Sequence, residues 1–425
     1  VGFGDGFDVA ADLADSRYVY YMSQGGNLGR YDHITGDRKL IRPVHPDGEK
    51  LRFNWNAGFA QDPFNKTTIY YGSQYLHKSP DRGDNWLIIS PDLTTNDTTK
   101  QKQLNSGGLT YDVTNAENFT TIISIAPSPL KEGVIWVGTD DGNLQLTKDG
   151  GKAWENVIKN IKGVPEGSWI PQIRASSYNS EEAFVVINNY RRDDWKPYVY
   201  HTNDYGKSWK PVVKESDVEG YALSFIQDPI EKNLYFVGTE FGLYVSIDAG
   251  KTWTKWTKGY PTVSTYDLAI HPREHDLVVG TFGRSVYVFD DIRPLRKIAK
   301  EGIKLLERKV VSFEIPDAYR YIQKQAPGLR FAAAAEFKGD NLEQGAMITY
   351  YLANDTSKAS EKVRIQIYDQ SGNLIRTITN KYEKGINRIF WGFERKGVRF
   401  PGSPTMQEDS EPSGPPVLPG NYKVK

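Results

Sequence analysis

The pattern Ser/Thr-x-Asp-x-Gly-x-x-Trp occurs four times in this sequence, at Ser79 to Trp86, Thr147 to Trp154, Thr202 to Trp209 and Ser246 to Trp253. A turn motif that returns at intervals of several tens of residues marks a repeat architecture, and that restricts the fold more than any property averaged over the chain. The hydroxyl and the carboxylate accept hydrogen bonds from turn amides that would otherwise be unpaired, and the glycine supplies the positive φ of a tight hairpin. The Trp that follows carries enough apolar area to fill the space between neighbouring units and set their spacing. Asp81, Asp149, Asp204 and Asp248, with Trp86, Trp154, Trp209 and Trp253, are therefore read as structural. Every copy has them, whereas a functional site needs few such groups.

Between the motifs a four-strand grammar repeats. In one unit, Tyr221 to Pro229 is an apolar strand running into a Pro-containing turn, Leu234 to Thr239 a second strand, Gly242 to Ser246 a third leading into the motif, and Trp253 begins the fourth. This is the pattern of a propeller blade. Related units run from Trp55 to Asp92, Thr121 to Val157, Trp169 to Val213 and Thr265 to about Lys300; a degenerate one spans Phe7 to Val44, with Gly29-Arg-Tyr-Asp32 in place of the motif. Six units fit the roughly 40 to 50 residues expected per blade. The abundance of Gly (39), Pro (23) and aromatics (13%) suits many short strands and tight turns. The fold class expected is all-β: an Asp-rich-turn β-propeller over residues 1–295, of at least six four-stranded blades and an incomplete seven or more.

After residue 295 the character changes. Ile292 to Lys300 reads as a short helix, and residues 296–330 as a linker. Residues 331–425 alternate as strands without the motif, at Ala346 to Leu352, Lys362 to Asp369, Asn373 to Ile378, Asn387 to Trp391 and Gly420 to Lys425, which predicts an Ig-like or fibronectin-type β-sandwich. The chain opens at Val1 without an initiating Met or signal sequence and stops within a strand, so it is read as a fragment or processed form, with contact to missing propeller segments of the same protein expected.

The 425 residues carry 53 basic and 53 acidic side chains, so no electrostatic footprint for nucleic acid or an anionic membrane is present. No apolar run approaches a membrane span, and the absence of Cys excludes disulfides and thiolate metal sites. No glycine-rich phosphate loop, nucleophile elbow or zinc motif appears, and no cofactor is expected. His271-Pro-Arg-Glu-His275 has a metal-like spacing but falls on a turn between the first two strands of its unit, where a solvated loop is the simpler reading.

With these residues assembled, the chain resembles the bacterial sortilin-like, Asp-box (BNR) repeat propeller proteins often labelled glycosyl hydrolases. The resemblance covers nearly the whole chain and is carried by Phe53 to Asn56, Ser90 to Thr94, Trp136 to Gly142, Arg191 to Tyr198, Gly238 to Gly242, Gly280 to Ser285 and Phe289 to Asp291; Gly385 to Trp391 and Leu418 to Tyr422 carry the likeness of the tail to Ig-like modules. It implies an extracellular, periplasmic or cell-envelope location, and it supports more than one role. Sialidases share the Asp-box but also need an arginine triad and a Tyr/Glu nucleophile pair, and the sequence has no Arg-Ile-Pro opening, Ile41-Arg-Pro43 being only a faint echo of it. Xyloglucanases place paired Asp residues between two propellers, whereas this chain holds at most one. Eukaryotic sortilins bind peptides in the propeller tunnel, but carry a Cys-rich module absent from this sequence.

A meandering blade puts the motif turns on one face, so ligands are expected on the other. That face is predicted to present Asn54, Trp55, Asn56, Gln74, Arg191, Arg192, Trp195 and Arg284, a mixed rim suited to a peptide, protein or glycan ligand. A hydrolase would need two carboxylates flanking the scissile bond. Asp140, Asp141, Asp193 and Glu240 are the candidates, each with a competing structural role in its own hairpin or in a local ion pair. The reading from sequence is an exported propeller binding a peptide or glycan, with a glycoside hydrolase and an envelope assembly module as the alternatives.

Overall fold

The computed structural model describes residues 4–101, 118–321, 342–353, 362–399, 401 and 411–425. The chain divides into two units, Val1–Ile292 and Arg293–Lys425. The first is built from six consecutive antiparallel sheets, each made by neighbouring strands in chain order. In blade four, for example, Trp169–Ala175, Ala183–Asn189, Asp194–Thr202 and Lys210–Pro211 lie side by side.

The cores lie between blades rather than within them. The strand Ala183–Asn189 is buried along its whole length, because its side chains alternate across the sheet. Ala183, Val185 and Ile187 pack with Trp136 and Leu144 of blade three, whereas Phe184 and Val186 pack with Phe225 and Val237 of blade five. Equivalent clusters join blades one and two through Tyr20, Leu28 and Tyr71, and blades two and three through Tyr70, Ile122 and Val137. A strand buried on both faces reads as a continuous apolar run, as these do.

The four motif turns share one geometry. In the turn at Thr147 the hydroxyl donates to Asp149 at 2.8 Å and accepts from the Gly151 amide at 3.0 Å, while the Asp149 carboxylate caps the Ala153 amide at 3.0 Å. Each indole then faces the preceding blade: Trp86 donates to the Ile41 carbonyl, Trp154 to Ile89 and Trp253 to Val212, at 2.8, 3.2 and 3.3 Å. Trp209 instead donates to its own Gly206 and meets Trp136 of blade three edge-on. Gly151 (φ 101) shows why the glycine is required, since a Cβ there would run into the Ile89 carbonyl of blade two.

A second repeated turn joins the first two strands in four of the six units. Asp12, Asp62 and Asp228 each accept two amides from the turn, and at the equivalent place the Nδ1 atom of His271 accepts from Arg273 and Glu274 at 3.3 and 3.0 Å. The His-Pro-Arg-Glu-His segment is thus the same turn with an imidazole as the acceptor.

Two expectations change. Blade six has three strands among the described residues, Thr265–Ile270, Leu277–Thr281 and Val286–Phe289, because no motif turn follows Phe289 and the chain passes into the helix Arg293–Glu301. The segment expected as a linker, residues 296–330, contains the strand Val310–Ser312, which pairs with Ala346–Leu352. In the second unit that sheet, completed by Gly385–Trp391, shares a core with a sheet of Leu374–Lys381, Lys362–Tyr368 and Lys423–Val424, through Ile348, Leu352, Ile367, Ile375 and Trp391. Residues 331–341 of the expected sandwich lie outside the described residues.

Candidate functional site

The first strands of the blades surround a cavity of about 260 Å³, to which every blade contributes: Asp8 from blade one, Phe59 from two, Ser124 from three, Trp169 and Arg174 from four, Leu223 from five and Asp267 from six. Asn54, Asn56, Tyr190 and Arg191 also line it, from connections at the ends of the sheets away from the motif turns, as does Asn188 near the end of the strand Ala183–Asn189. A second cavity, lined by Ser176, Gln227 and Pro229, lies toward the other ends of the strands, and Arg174 borders both. The second unit holds a larger pocket of about 430 Å³, but its walls, Ile315, Trp391 and Tyr422 among them, are continuous with the core of that unit.

From the wall of the propeller cavity an aromatic and cationic ladder runs from blade four to blade five. The Arg191 guanidinium lies 3.5 Å from the centre of the Trp169 ring and 4.4 Å from that of Tyr190. Tyr190 stacks on Tyr221 at 4.4 Å, and Trp195 meets Tyr221 at 5.6 Å. Arg191 is open to solvent on the cavity side, yet protein surrounds it closely enough that desolvation lowers its pKa. It donates to the Asn188 amide oxygen at 3.4 Å, and among the described residues no carboxylate pairs with it. A planar cation held by ring faces keeps most of its N–H groups available to a ligand.

Across the cavity Arg174 reaches from blade four to blade six, donating to Asp267 at 3.2 Å and to the Leu268 carbonyl at 3.0 Å. Gln172 does likewise, giving its amide to Asp267 at 3.3 Å and accepting the Phe225 amide at 2.7 Å. The cavity wall is therefore partly stitched by its own polar groups. Asn56 Oδ1 is buried without a partner among the described residues.

Residues 197–386 match the family model for sortilin, neurotensin receptor 3. This is a sortilin-like β-propeller. None of the curated proteins matches the chain. Among solved structures, the sortilin-like propeller is similar to the GH74 xyloglucanase from Xanthomonas campestris (17% identity, TM-score 0.44, covering 66% of this chain and 44% of that one). It is also similar to the GH74 enzyme from Niastella koreensis (15%, 0.39, 68% and 53%) and to the Dos1 propeller (13%, 0.43, 68% and 69%). The chain spans about half the length of those two GH74 enzymes. At such identities the likeness is one of fold alone.

The sortilin-like propeller brings together some of the residues singled out from sequence and separates others. Asn54, Asn56 and Arg191 reach the cavity, and Trp195, 54% exposed, ends the ladder. Gln74 does not face a ligand: it is fully buried, accepting the Arg52 amide at 2.8 Å and donating to Glu49 and the Lys50 carbonyl. Arg192 is occupied by the carbonyls of Glu166 and Gly167 at 2.7 and 2.8 Å. Trp55 packs 6.1 Å from Phe7, and Arg284 is exposed in the Thr281 to Ser285 turn; neither lines the cavity.

The four carboxylates proposed for hydrolysis do not form a pair across open space. Asp140 is fully buried and accepts from the Thr121 amide at 2.8 Å, the Thr121 hydroxyl at 2.5 Å and Asn54 at 2.9 Å; burial first, and the neighbouring Asp141 charge second, push its pKa up to about 8. Asp141 accepts both the amide and the hydroxyl of Thr95 at 2.7 Å, and the hydroxyl of Thr139. Glu240 receives the Tyr221 hydroxyl at 2.7 Å. Asp193 sits exposed in a left-handed conformation (φ 59) that closes the Tyr190–Arg192 turn. Of the long connection between Asp92 and Thr120, the described part is bound locally through Arg52 and Asp92 at 2.7 Å and through Thr95 and Asp141; residues 102–117 lie outside the described residues.

Sequence reasoning did not single out Asp8, Trp169, Arg174, Tyr190, Tyr266 or Asp267 as site residues. For all but Tyr190, which follows the second strand of blade four, the available signal was polar or aromatic residues on or just before first strands, where a purely packed core would carry aliphatics.

Proposed function

We propose that this chain binds an extended peptide in the central cavity of its propeller, as an exported recognition module. The observation that carries the reading is the Trp169–Arg191–Tyr190 stack, which holds a solvent-open guanidinium at the cavity wall with no carboxylate partner among the described residues. Amide side chains at Asn56 and Asn188 in the same wall suit the alternating donors and acceptors of a peptide backbone. The sortilin-like character of the fold supports both the peptide and the exported location.

The hydrolase alternative has less support, since Asp140, Asp141 and Glu240 are committed to hydrogen bonds within the protein. The Asp-box (BNR) description of the motif turns and the Ig-like description of the second unit belong to the same reading. They are supported by the repeated turn geometry and the two-sheet core. The test is retention of a random octapeptide library on the immobilised chain, beside the same experiment with an oligosaccharide array. Peptides retained by the native chain and released by Arg191→Ala support the reading. Retention indifferent to Arg191, or of glycans alone, would sink it.

A further inference from the structure

The turn between the first two strands keeps one hydrogen bond in all six blades, including the two in which a serine is the acceptor. Phe64 donates its amide to Asp62, Leu130 to Ser128, Tyr178 to Ser176 and Ile230 to Asp228, and Ala14 and Arg273 do the same in blades one and six, all at 2.8 to 3.3 Å. That bond makes these residues structurally equivalent. The first and third connections of a four-stranded meander share one end of the sheet, so this turn lies on the face of the motif turns, away from Arg191 and its stack. At this one position blades two to five carry a large apolar side chain open to solvent: Phe64 is 47% exposed, Leu130 46%, Tyr178 38% and Ile230 58%. Apolar residues scattered singly over a surface need no explanation, whereas four at equivalent points of consecutive blades make a row on one face. The charges beside them are ordered. Leu130 is followed by Lys131 and Glu132, and Ile230 by Glu231 and Lys232 in the reverse order. Phe64 has a base two positions on, Lys66, and Arg273 an acid next to it, Glu274.

We propose that this row is the contact surface for a second copy of the chain, motif face to motif face, about a two-fold axis passing over blade four. Such an axis brings blade three of one copy against blade five of the other, and blade two against blade six. Lys131 then meets Glu231 of the second copy, Glu132 meets Lys232, and Leu130 packs on Ile230. Phe64 meets the Arg273 guanidinium of the second copy, and the Tyr178 rings of the two copies meet at the axis. Every pairing but the last occurs twice. Lys131 is exposed beside Tyr205, with its ammonium 5.5 Å from the ring centre, and Glu132 and Lys232 are exposed as well, so these charges are placed to reach outward. The alternation of bases and acids suits a like surface; an anionic membrane would call for a basic one. The residues proposed for peptide binding lie at the other ends of the strands, so association leaves that cavity open.

The experiment is sedimentation equilibrium of the whole chain at loading concentrations from about 1 µM to about 200 µM. The expected result is a monomer–dimer equilibrium within that range. Ile230→Asp should weaken the dimer about tenfold or more, and so should Lys131→Glu, which sets two acids against one another at Glu231. Adding Glu231→Lys to Lys131→Glu exchanges the two signs and should restore the dissociation constant to within about threefold of the native one. Thermal melts of each variant, taken where the chain is monomeric, show that it is folded. A native chain that stays monomeric at the highest concentration overturns the inference, as does a dimer indifferent to Ile230→Asp. A double variant that associates no better than Lys131→Glu alone overturns the meeting of blades three and five, and the two-fold axis with it. A monomeric chain that sediments with phosphatidylcholine vesicles would assign the row to a lipid surface and likewise overturn it.

Discussion

The Arg191 guanidinium lies over the Trp169 indole, 3.5 Å from the ring centre, although Trp169 opens the first strand of blade four and Arg191 sits in the turn after its second strand, twenty-two positions on. Asn188 and Tyr190 complete the setting, so the cation is oriented before any ligand arrives. Preorganisation of this kind lowers the ordering cost of binding.

From this follows a prediction about the stack. Trp169→Ala should weaken retained peptides by about tenfold, through loss of about 1–2 kcal/mol of cation–π attraction and ring contact. Arg191→Lys should also lose affinity despite keeping its charge, since an ammonium cannot lie flat on the indole. Calorimetry on one library-selected peptide checks both, and native affinity in Arg191→Lys would show that charge alone matters.

The motif turns allow a paired test within two adjacent residues. Gly150→Ala adds a methyl to open space at φ 74 and should cost about 1 kcal/mol. Gly151→Ala meets the Ile89 carbonyl of the neighbouring blade as well as a φ of 101, and should cost about 2–3 kcal/mol. Urea midpoints of the two variants decide; equal shifts would mean that the turn, not the inter-blade contact, sets the requirement for glycine.

Asp8 predicts a pH-dependent stability with a definite sign. Its folded pKa, about 6, lies above the ordinary value of 3.8, so the folded state holds the proton more tightly. Its contribution is fully present below about 3.8 and is lost as pH rises through about 6. Asp8→Asn should therefore raise the melting temperature at pH 7.5 and leave it nearly unchanged at pH 4. A variant that melts lower than the native chain at pH 7.5 would contradict this.

His77 acts in the opposite direction. Its ring is buried, with Nε2 2.7 Å from the Ser73 hydroxyl, and burial, with a smaller effect of His45, lowers its pKa to about 4. The unfolded chain then binds the proton more tightly, so stability is present above about 6.5 and lost as pH falls toward 4, by up to about 3 kcal/mol. Urea midpoints of His77→Gln between pH 7 and 4 should lack this slope. Because Asp8 gains over part of the same range, Asp8→Asn should make the acid lability steeper.

Much of the architecture was legible because it is written in local contacts. The motif serine or threonine bonds atoms two and four residues away, so its spacing survives in the linear order. The doubly buried strands appear as apolar runs for the same reason. The three-stranded sixth blade was not legible, since Val286–Phe289 reads as a third strand whether or not a fourth follows it. The burial of Gln74 was equally hidden: its partners, Glu49, Lys50 and Arg52, lie on a separate segment that only packing brings near.

The site divides in the same way. Arg191 and Asn56 stand in connections away from the motif turns, as the repeat pattern expects, and both line the cavity. Asp140 and Asp141 looked equally available there, and only the structure shows their oxygens committed to Thr121, Asn54, Thr95 and Thr139. The cavity itself is a tertiary product. Asp8, Arg174 and Asp267 come from blades one, four and six, and they share one space because the repeats curve around a common centre. The sequence by itself determined the repeat, its turns and its strand faces, which depend on interactions between near neighbours along the chain. The tertiary structure decided which polar side chains meet at the centre, because that depends on the accumulated rotation from blade to blade, which no local pattern records.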